Sequence, residues 1–280
     1  MSSCPEAAIG SPQMTEEHLL FRREMQYKQN ELERQLEEQQ NLVKRMSDQM
    51  EVALQQQQMG QYPSVTQSQL QQQPPLRVKP GLNSLKNALK IAKENGIKEI
   101  FLENGVHDEK GEMVWIKFPV TITGESKDGC KIIGGLKMEG KEEDDVNVKN
   151  LTISQSKDCG VKGEYGMSFH LFHLNIEKSE YRGVYVNYTK RNTMSNCQVS
   201  HSKRSGVFVW DGLITMNGSG TSIHNNATDE EYSNYYGVYT LNSSSSIHLV
   251  SPLTKESVSI NNGGGGNHGG NGTIKTIEKK

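Results

Sequence analysis

An all-β solenoid, a right-handed parallel β-helix, is the fold class that the sequence predicts for residues 81–280, and three observations predict it. Apolar-polar-apolar triplets recur at a fixed step: Leu151-Thr152-Ile153, Leu174-Asn175-Ile176 and Cys197-Gln198-Val199 place Ile153, Ile176 and Val199 23 residues apart. A second series follows each of them: Gly160-Val161, Gly183-Val184-Tyr185-Val186 and Gly206-Val207-Phe208-Val209, with glycines again 23 residues apart. Finally, hydrophobic residues make up 33% of the chain and aromatic residues 6%, which suits a thin linear core better than a compact globule.

Apolar residues that alternate with period two belong to strands rather than to helical pairs. A 23-residue step is about right for one coil of three short strands and three bends. Stacked coils then pair in parallel, each satisfying the backbone of the next. The first series continues at Thr221-Ser222-Ile223. An insertion, Asp229 to Tyr235, precedes Gly237-Val238-Tyr239-Thr240 in the second. Weaker echoes are Val258-Ser259-Ile260 and Gly272-Thr273-Ile274. The glycine ahead of each second-series strand is expected to permit a bend that a Cβ would resist.

The rest of the chain is read in order. Residues 1–14 form a disordered leader. Residues 15–58 lack an internal Gly or Pro and carry Met25, Leu32, Leu36, Val43, Met46, Met50 and Ala53 at heptad steps, with Gln29 and Gln39 interrupting the seam. This predicts a long helix, capped by Thr15, that pairs as a coiled coil; a solitary solvated helix is the alternative. Residues 59–80, rich in Gln and Pro, form a linker with nothing to bury. Leu82, Leu85, Leu89 and Ala92 have helical spacing, and Asn95-Gly96 ends that helix. A solenoid needs its open end covered, so the helix from Leu82 to Asn95 is expected to cap the first coil.

The order helix, Glu99-Ile100-Phe101-Leu102-Glu103-Asn104-Gly105-Val106, Pro119-Val120-Thr121-Ile122-Thr123-Gly124, Lys131-Ile132-Ile133-Gly134-Gly135, Val148-Lys149-Asn150-Leu151-Thr152-Ile153 resembles the opening of pectin-lyase-like right-handed parallel β-helix proteins. The resemblance covers about residues 82–277. It implies the fold and leaves function open, because polysaccharide lyases, glycoside hydrolases, epimerases, phage tailspikes and non-enzymatic adaptors share it.

The chemistry-bearing residues do not assemble into a site on sequence grounds. Asp128, Asp158 and Asp211 fall at different positions of the repeat, and Glu142 to Asp145 read as a solvated loop. His170 and His173 point to opposite faces of one strand and cannot share a metal. His201 and His224 fall in bends, out of register, and His268 falls in a flexible glycine loop. Cys4, Cys130, Cys159 and Cys197 show neither metal spacing nor a disulfide framework. The expectation is therefore no catalytic residue, no metal and no cofactor. Asn-x-Ser/Thr sequences at Asn150, Asn187, Asn217, Asn226, Asn242 and Asn271 are read as turn chemistry. A formal net charge of −2 offers no basis for nucleic-acid binding. No apolar run is long enough for a membrane, and Met1 to Gln13 does not resemble a secretion signal, so the expected location is cytoplasmic.

One feature does point to recognition. Outward residues of the second series are Lys162, Tyr185, Phe208 and Tyr239, with Asn187, Trp210 and Leu241 two positions on. Stacked coils lie about 4.8 Å apart, so these rings are expected to form an exposed file. Arg182, Lys203, Arg204 and Asp211 would rim it. The rival readings are a cover formed by Ala227 to Tyr236 or by the C-terminal tail, and mere stacking of the ladder. Two function classes stay open. One is a binding scaffold that presents this face to a protein or polysaccharide and oligomerises through residues 15–58. The other is a carbohydrate-active enzyme, which needs carboxylates, or a carboxylate with Lys or Arg, converging on the outer face.

Overall fold

The computed structural model describes residues 74–229 and 234–278. The leader and the coiled-coil reading for residues 15–58 lie outside them. The described chain is a parallel β-solenoid in which, after a first coil that holds a helix, successive coils contribute a strand to each of three sheets, paired in parallel. The first sheet starts at Leu76–Val78, paired to Glu99–Leu102, and ends at Thr273–Ile277. The second runs from Gly81–Leu82 to Ser259–Ile260. The third runs from residues 113–116 to Gly266–Gly270.

The bore is lined by registered columns. In the second sheet Ile132, Ile153, Ile176, Val199 and Ile223 are stacked, each fully buried. In the third sheet Val114, Leu136, Val161, Val184, Val207 and Val238 do the same. In the first sheet the column is Ile100, Ile122, Val148, Leu171, Met194, Met216 and Leu249. Burial of these side chains offsets the entropy of ordering the coils, and shared amides bind each rung to the next.

Many corners are turned by residues in the left-handed region. One corner stacks Asn150, His173 and Asn196 (φ 57, 56 and 50°). Another stacks Gln155, Lys178, His201, Asn225 and Asn261. The third stacks Tyr165, Tyr188 and Asp211 (φ 54, 56 and 49°). Asn tolerates this backbone well and most side chains do not.

Several sequence expectations need correction. The strand Leu76–Val78 falls inside the segment read as linker. The helix is Ser84–Asn95; Leu82 lies in the preceding strand and is exposed, while Leu85, Ala88, Leu89 and Ala92 join the core. Its first turn is held from another element: Glu109 Oε1 accepts from the Leu85 and Lys86 amides, at 2.8 and 3.4 Å. Burial nevertheless holds the Glu109 carboxyl above its ordinary range, outweighing those two bonds.

The glycines preceding the second-series strands, Gly160, Gly183, Gly206 and Gly237, are not in a left-handed conformation. They are needed for space: a Cβ on Gly183 would lie 2.2 Å from Val199 Cγ1 and 2.6 Å from the Gly206 carbonyl oxygen. His268 is not in a loop but pairs with Val238 in the last strand of the third sheet. Glu142 to Asp145 belong to the long strand Cys130–Lys149, although its register shifts there. The final echoes slip. Ser259, not Ile260, faces Ile223, which turns Ile260 outward, and Thr273–Ile277 belongs to the first sheet. A one-residue slip exchanges the two faces of a strand.

Candidate binding face

The outer surface of the third sheet carries one registered column from Trp115 through Lys137, Lys162, Tyr185 and Phe208 to Tyr239. Beside it, Glu164, Asn187 and Trp210 stand in a second registered column. At its N-terminal half the surface is ionic. Lys137 Nζ lies 2.7 Å from Glu164 and 3.2 Å from Glu139, and 3.8 Å over the Trp115 ring. Lys162 Nζ lies 3.3 Å from Glu164, and Asn187 donates to Glu164 at 3.2 Å. Burial opposes the charge on Glu164, but the two lysines outweigh it and hold the carboxyl below its ordinary range. Burial likewise opposes the Lys137 charge, and Glu164 and Glu139 outweigh it, raising the ammonium.

The C-terminal half is aromatic, and it corrects the expectation of an open strip. Tyr185 and Phe208 pack edge to face at 5.4 Å, and Phe208 lies 5.3 Å from Tyr239. Yet Tyr185 and Phe208 are only 6% and 5% exposed. Arg182 roofs them, its guanidinium 3.8 Å over Phe208 and 4.8 Å over Tyr185. Tyr181 supports that roof, lying between Arg182 at 4.3 Å and Arg204 at 3.9 Å. Tyr236 stacks on Tyr239 at 5.2 Å, so the segment proposed as a cover contributes one ring. Asn187 is buried as well. Cys159 packs beneath these rings, and burial pushes its thiol up to about 12; Cys130 and Cys197, also buried, are each pushed up to about 11. None is a thiolate nucleophile at neutral pH.

The exposed aromatic surface lies at the adjoining corner. Tyr165 and Tyr188 are 39% and 48% exposed, and their rings are parallel within 12° at 6.1 Å. Tyr188 continues to Trp210 at 6.3 Å. The ridge is flanked by Asp211, which accepts from Asn242 at 3.0 Å and from Ser244. Burial raises its carboxyl, but these bonds, with others from Tyr188 and Trp210, outweigh it and hold the group low. Sequence reading missed Tyr165 and Tyr188 because they are bend residues outside the strand alternation. Their 23-residue spacing was the available signal.

Elsewhere, His170 projects outward beside Asp145 (3.2 Å) and Thr193 (2.9 Å), whereas His173 occupies a corner against Asn150. Among the described residues no three His, Cys, Asp or Glu side chains gather to hold a metal ion. No helix among them is long and apolar enough to cross a membrane. The sequon asparagines divide: Asn187 and Asn226 are buried, and Asn150, Asn226 and Asn242 spend their amide nitrogens on hydrogen bonds within the fold.

Registered parallel rungs around an apolar bore define the class of protein. The family model described as right handed beta helix region matches residues 102–277, and the chain belongs to that family. No curated protein matches the chain. Among solved structures, one described as "Crystal structure of Agl-KA catalytic domain" aligns with 14% identity and a TM-score of 0.43. The alignment covers 76% of this chain and 49% of that one, so the chain spans about half its length.

Proposed function

We propose that this chain is a glycan-binding scaffold whose recognition surface is the ridge Tyr165–Tyr188–Trp210 with its flanking Asp211. The observation that carries this reading is the placement of two tyrosines at left-handed corner positions. At the other two corners Asn recurs, which adopts that backbone at less cost. Bulky rings held there, exposed and stacked in a narrow file, fit a ligand that presents successive flat apolar faces. Pyranose rings do so through their C–H faces, while their hydroxyls reach the carboxylate and amide at the side. The buried rings Tyr185, Phe208 and Tyr239 and the roof of Arg182 and Arg204 then form the support beneath the ridge rather than the contact itself.

Convergence of Glu139 and Glu164 on Lys137 is the observation favouring a second reading, a glycan-cleaving enzyme. Glycosidic cleavage needs an acid held above the ordinary carboxyl range. Glu164 and Asp211 are both held low, which supports binding over cleavage. As further parts of the proposal, the helix Ser84–Asn95 closes the first coil, and residues 15–58 join several chains so that weak faces act together.

Affinity electrophoresis of the full chain through gels containing neutral or acidic polysaccharides tests the reading. Retardation is expected in at least one gel, with no reducing ends released. Tyr188→Ala and Trp210→Ala are each expected to weaken it about fivefold, at about 1 kcal/mol per ring, with the far-UV spectrum unchanged. Retardation indifferent to both substitutions would remove the ridge, and release of reducing ends that Glu164→Gln abolishes would establish the enzyme. Light scattering on residues 61–280 reads the assembly: the same number of chains per particle as in the full chain would overturn the role of residues 15–58.

A further inference from the structure

A different corner brings together two histidines that sequence spacing places apart. His201 lies in the left-handed corner after the second sheet, at φ 56°. His224 is not in a bend but ends the next rung's strand, registered against Ser200. The Val199 to Ile223 step is 24, so His201 stands level with Asn225, whose carbonyl accepts its amide, and its ring meets His224 diagonally. Their ring centroids are 6.3 Å apart at an interplanar angle of 84°. Both reach the surface, His201 exposed and His224 half-buried.

We propose that His201 and His224 form a two-histidine binding site for a divalent transition cation of the Cu²⁺, Ni²⁺ or Zn²⁺ type. Rotation about the side-chain torsions brings one nitrogen of each ring towards a common ion, at the usual distance of about 2.0–2.1 Å. Imidazole selects these borderline ions over Mg²⁺ and Ca²⁺, which seek oxygen, and among them Cu²⁺ binds tightest. Water fills the remaining positions, so the site is open. The Asn225 carboxamide lies 3.1 Å from His224 Nδ1. With its oxygen turned to that atom it accepts the Nδ1 proton, which leaves the Nε2 lone pair for the ion. On the preceding rung Glu177 is registered against Ser200 and is followed by Lys178, and the two pair with each other at 4.0 Å. This site does not depend on the aromatic ridge.

Calorimetric titration of the full chain with Cu²⁺ alone tests the assignment. His201→Asn keeps a residue suited to the left-handed corner, and His224→Gln keeps a polar strand end. Each is expected to weaken one Cu²⁺ equivalent about tenfold or more, the double variant no further than the weaker single, while His248→Gln leaves it unchanged. The electron paramagnetic spectrum is expected to lose one of two imidazole nitrogen couplings in either single variant. Unchanged Cu²⁺ affinity in the double variant would overturn the site. Should a variant fail to fold, Cu²⁺ line broadening in the wild-type proton spectrum still decides. Broadening first at His201 and His224 supports the site, and broadening confined to other histidines refutes it.

Discussion

Substituting alanine for Gly183 is expected to lower stability by about 3 kcal/mol or more, towards and beyond the top of the range for overpacked interiors. The added methyl would stand 2.2 Å from Val199 Cγ1 and 2.6 Å from the Gly206 carbonyl oxygen. Neither neighbour is free to yield. Val199 is fully buried in the bore column, and the Gly206 carbonyl accepts the Val184 amide that joins the two rungs. Gly160 and Gly206 meet the same two obstacles, an aliphatic carbon at 2.4 Å and the next glycine's carbonyl at 2.8 Å, so one methyl strikes a contact repeated along the solenoid. Gly220→Ala is the control. Gly220 is exposed and its nearest neighbour would be 3.3 Å away, so a change within about 0.5 kcal/mol is expected. Urea midpoints followed by far-UV circular dichroism compare the two, and equal midpoints would show that the close approach of rungs is not limiting.

Lys137→Met is expected to cost about 3–5 kcal/mol at neutral pH, the range for removing one partner of a buried pair. The side chains of Lys137 and Glu164 are 13% and 11% exposed, so solvent screens their attraction little. Methionine keeps much of the packing on Trp115 but leaves Glu164 with Lys162 as its one cation, beside the Asn187 amide. The pH dependence separates charge from packing. Glu164 is held low in the folded state, so its contribution is present above its unfolded value of about 4.3 and is lost as pH falls through the lowered folded value. Lys137 is raised, so its contribution is present below its unfolded value of about 10.4 and is lost as pH rises through the raised folded value. The difference between wild type and variant should therefore be widest near pH 7 and shrink towards about pH 3. A difference constant over that interval would assign the loss to contact with Trp115.

These expectations rest on features of unequal legibility. The second-sheet column was readable because Ile153, Ile176 and Val199 alternate cleanly at one step. The first-sheet column was not, because its inward positions include Asn192. That asparagine is buried and fully engaged, accepting from the Phe169 amide and donating to Thr189 and the Leu213 carbonyl. A polar residue satisfied by three bonds occupies a core position at tolerable cost, and such satisfaction is invisible to a hydrophobic pattern. The glycines were seen, but for the wrong reason: a backbone preference is local, whereas their actual constraint is close approach to residues far along the chain, such as Val199 and Gly206 against Gly183.

Of the candidate site, the outward order Lys162, Tyr185, Phe208, Tyr239 was legible and its exposure was not. Alternation decides on which side of a sheet a ring stands. It cannot say that Arg182, reaching from the preceding bend, lies over Phe208, nor that Tyr165 and Tyr188 leave the corner towards solvent.

The sequence by itself determined the periodic backbone of this protein, because a repeated strand pattern admits one stacking in which every rung pairs with the next. Tertiary structure alone decided which outward side chains meet one another. Those meetings depend on side-chain reach between bends, such as that of Arg182 over Phe208, which carries no periodic mark.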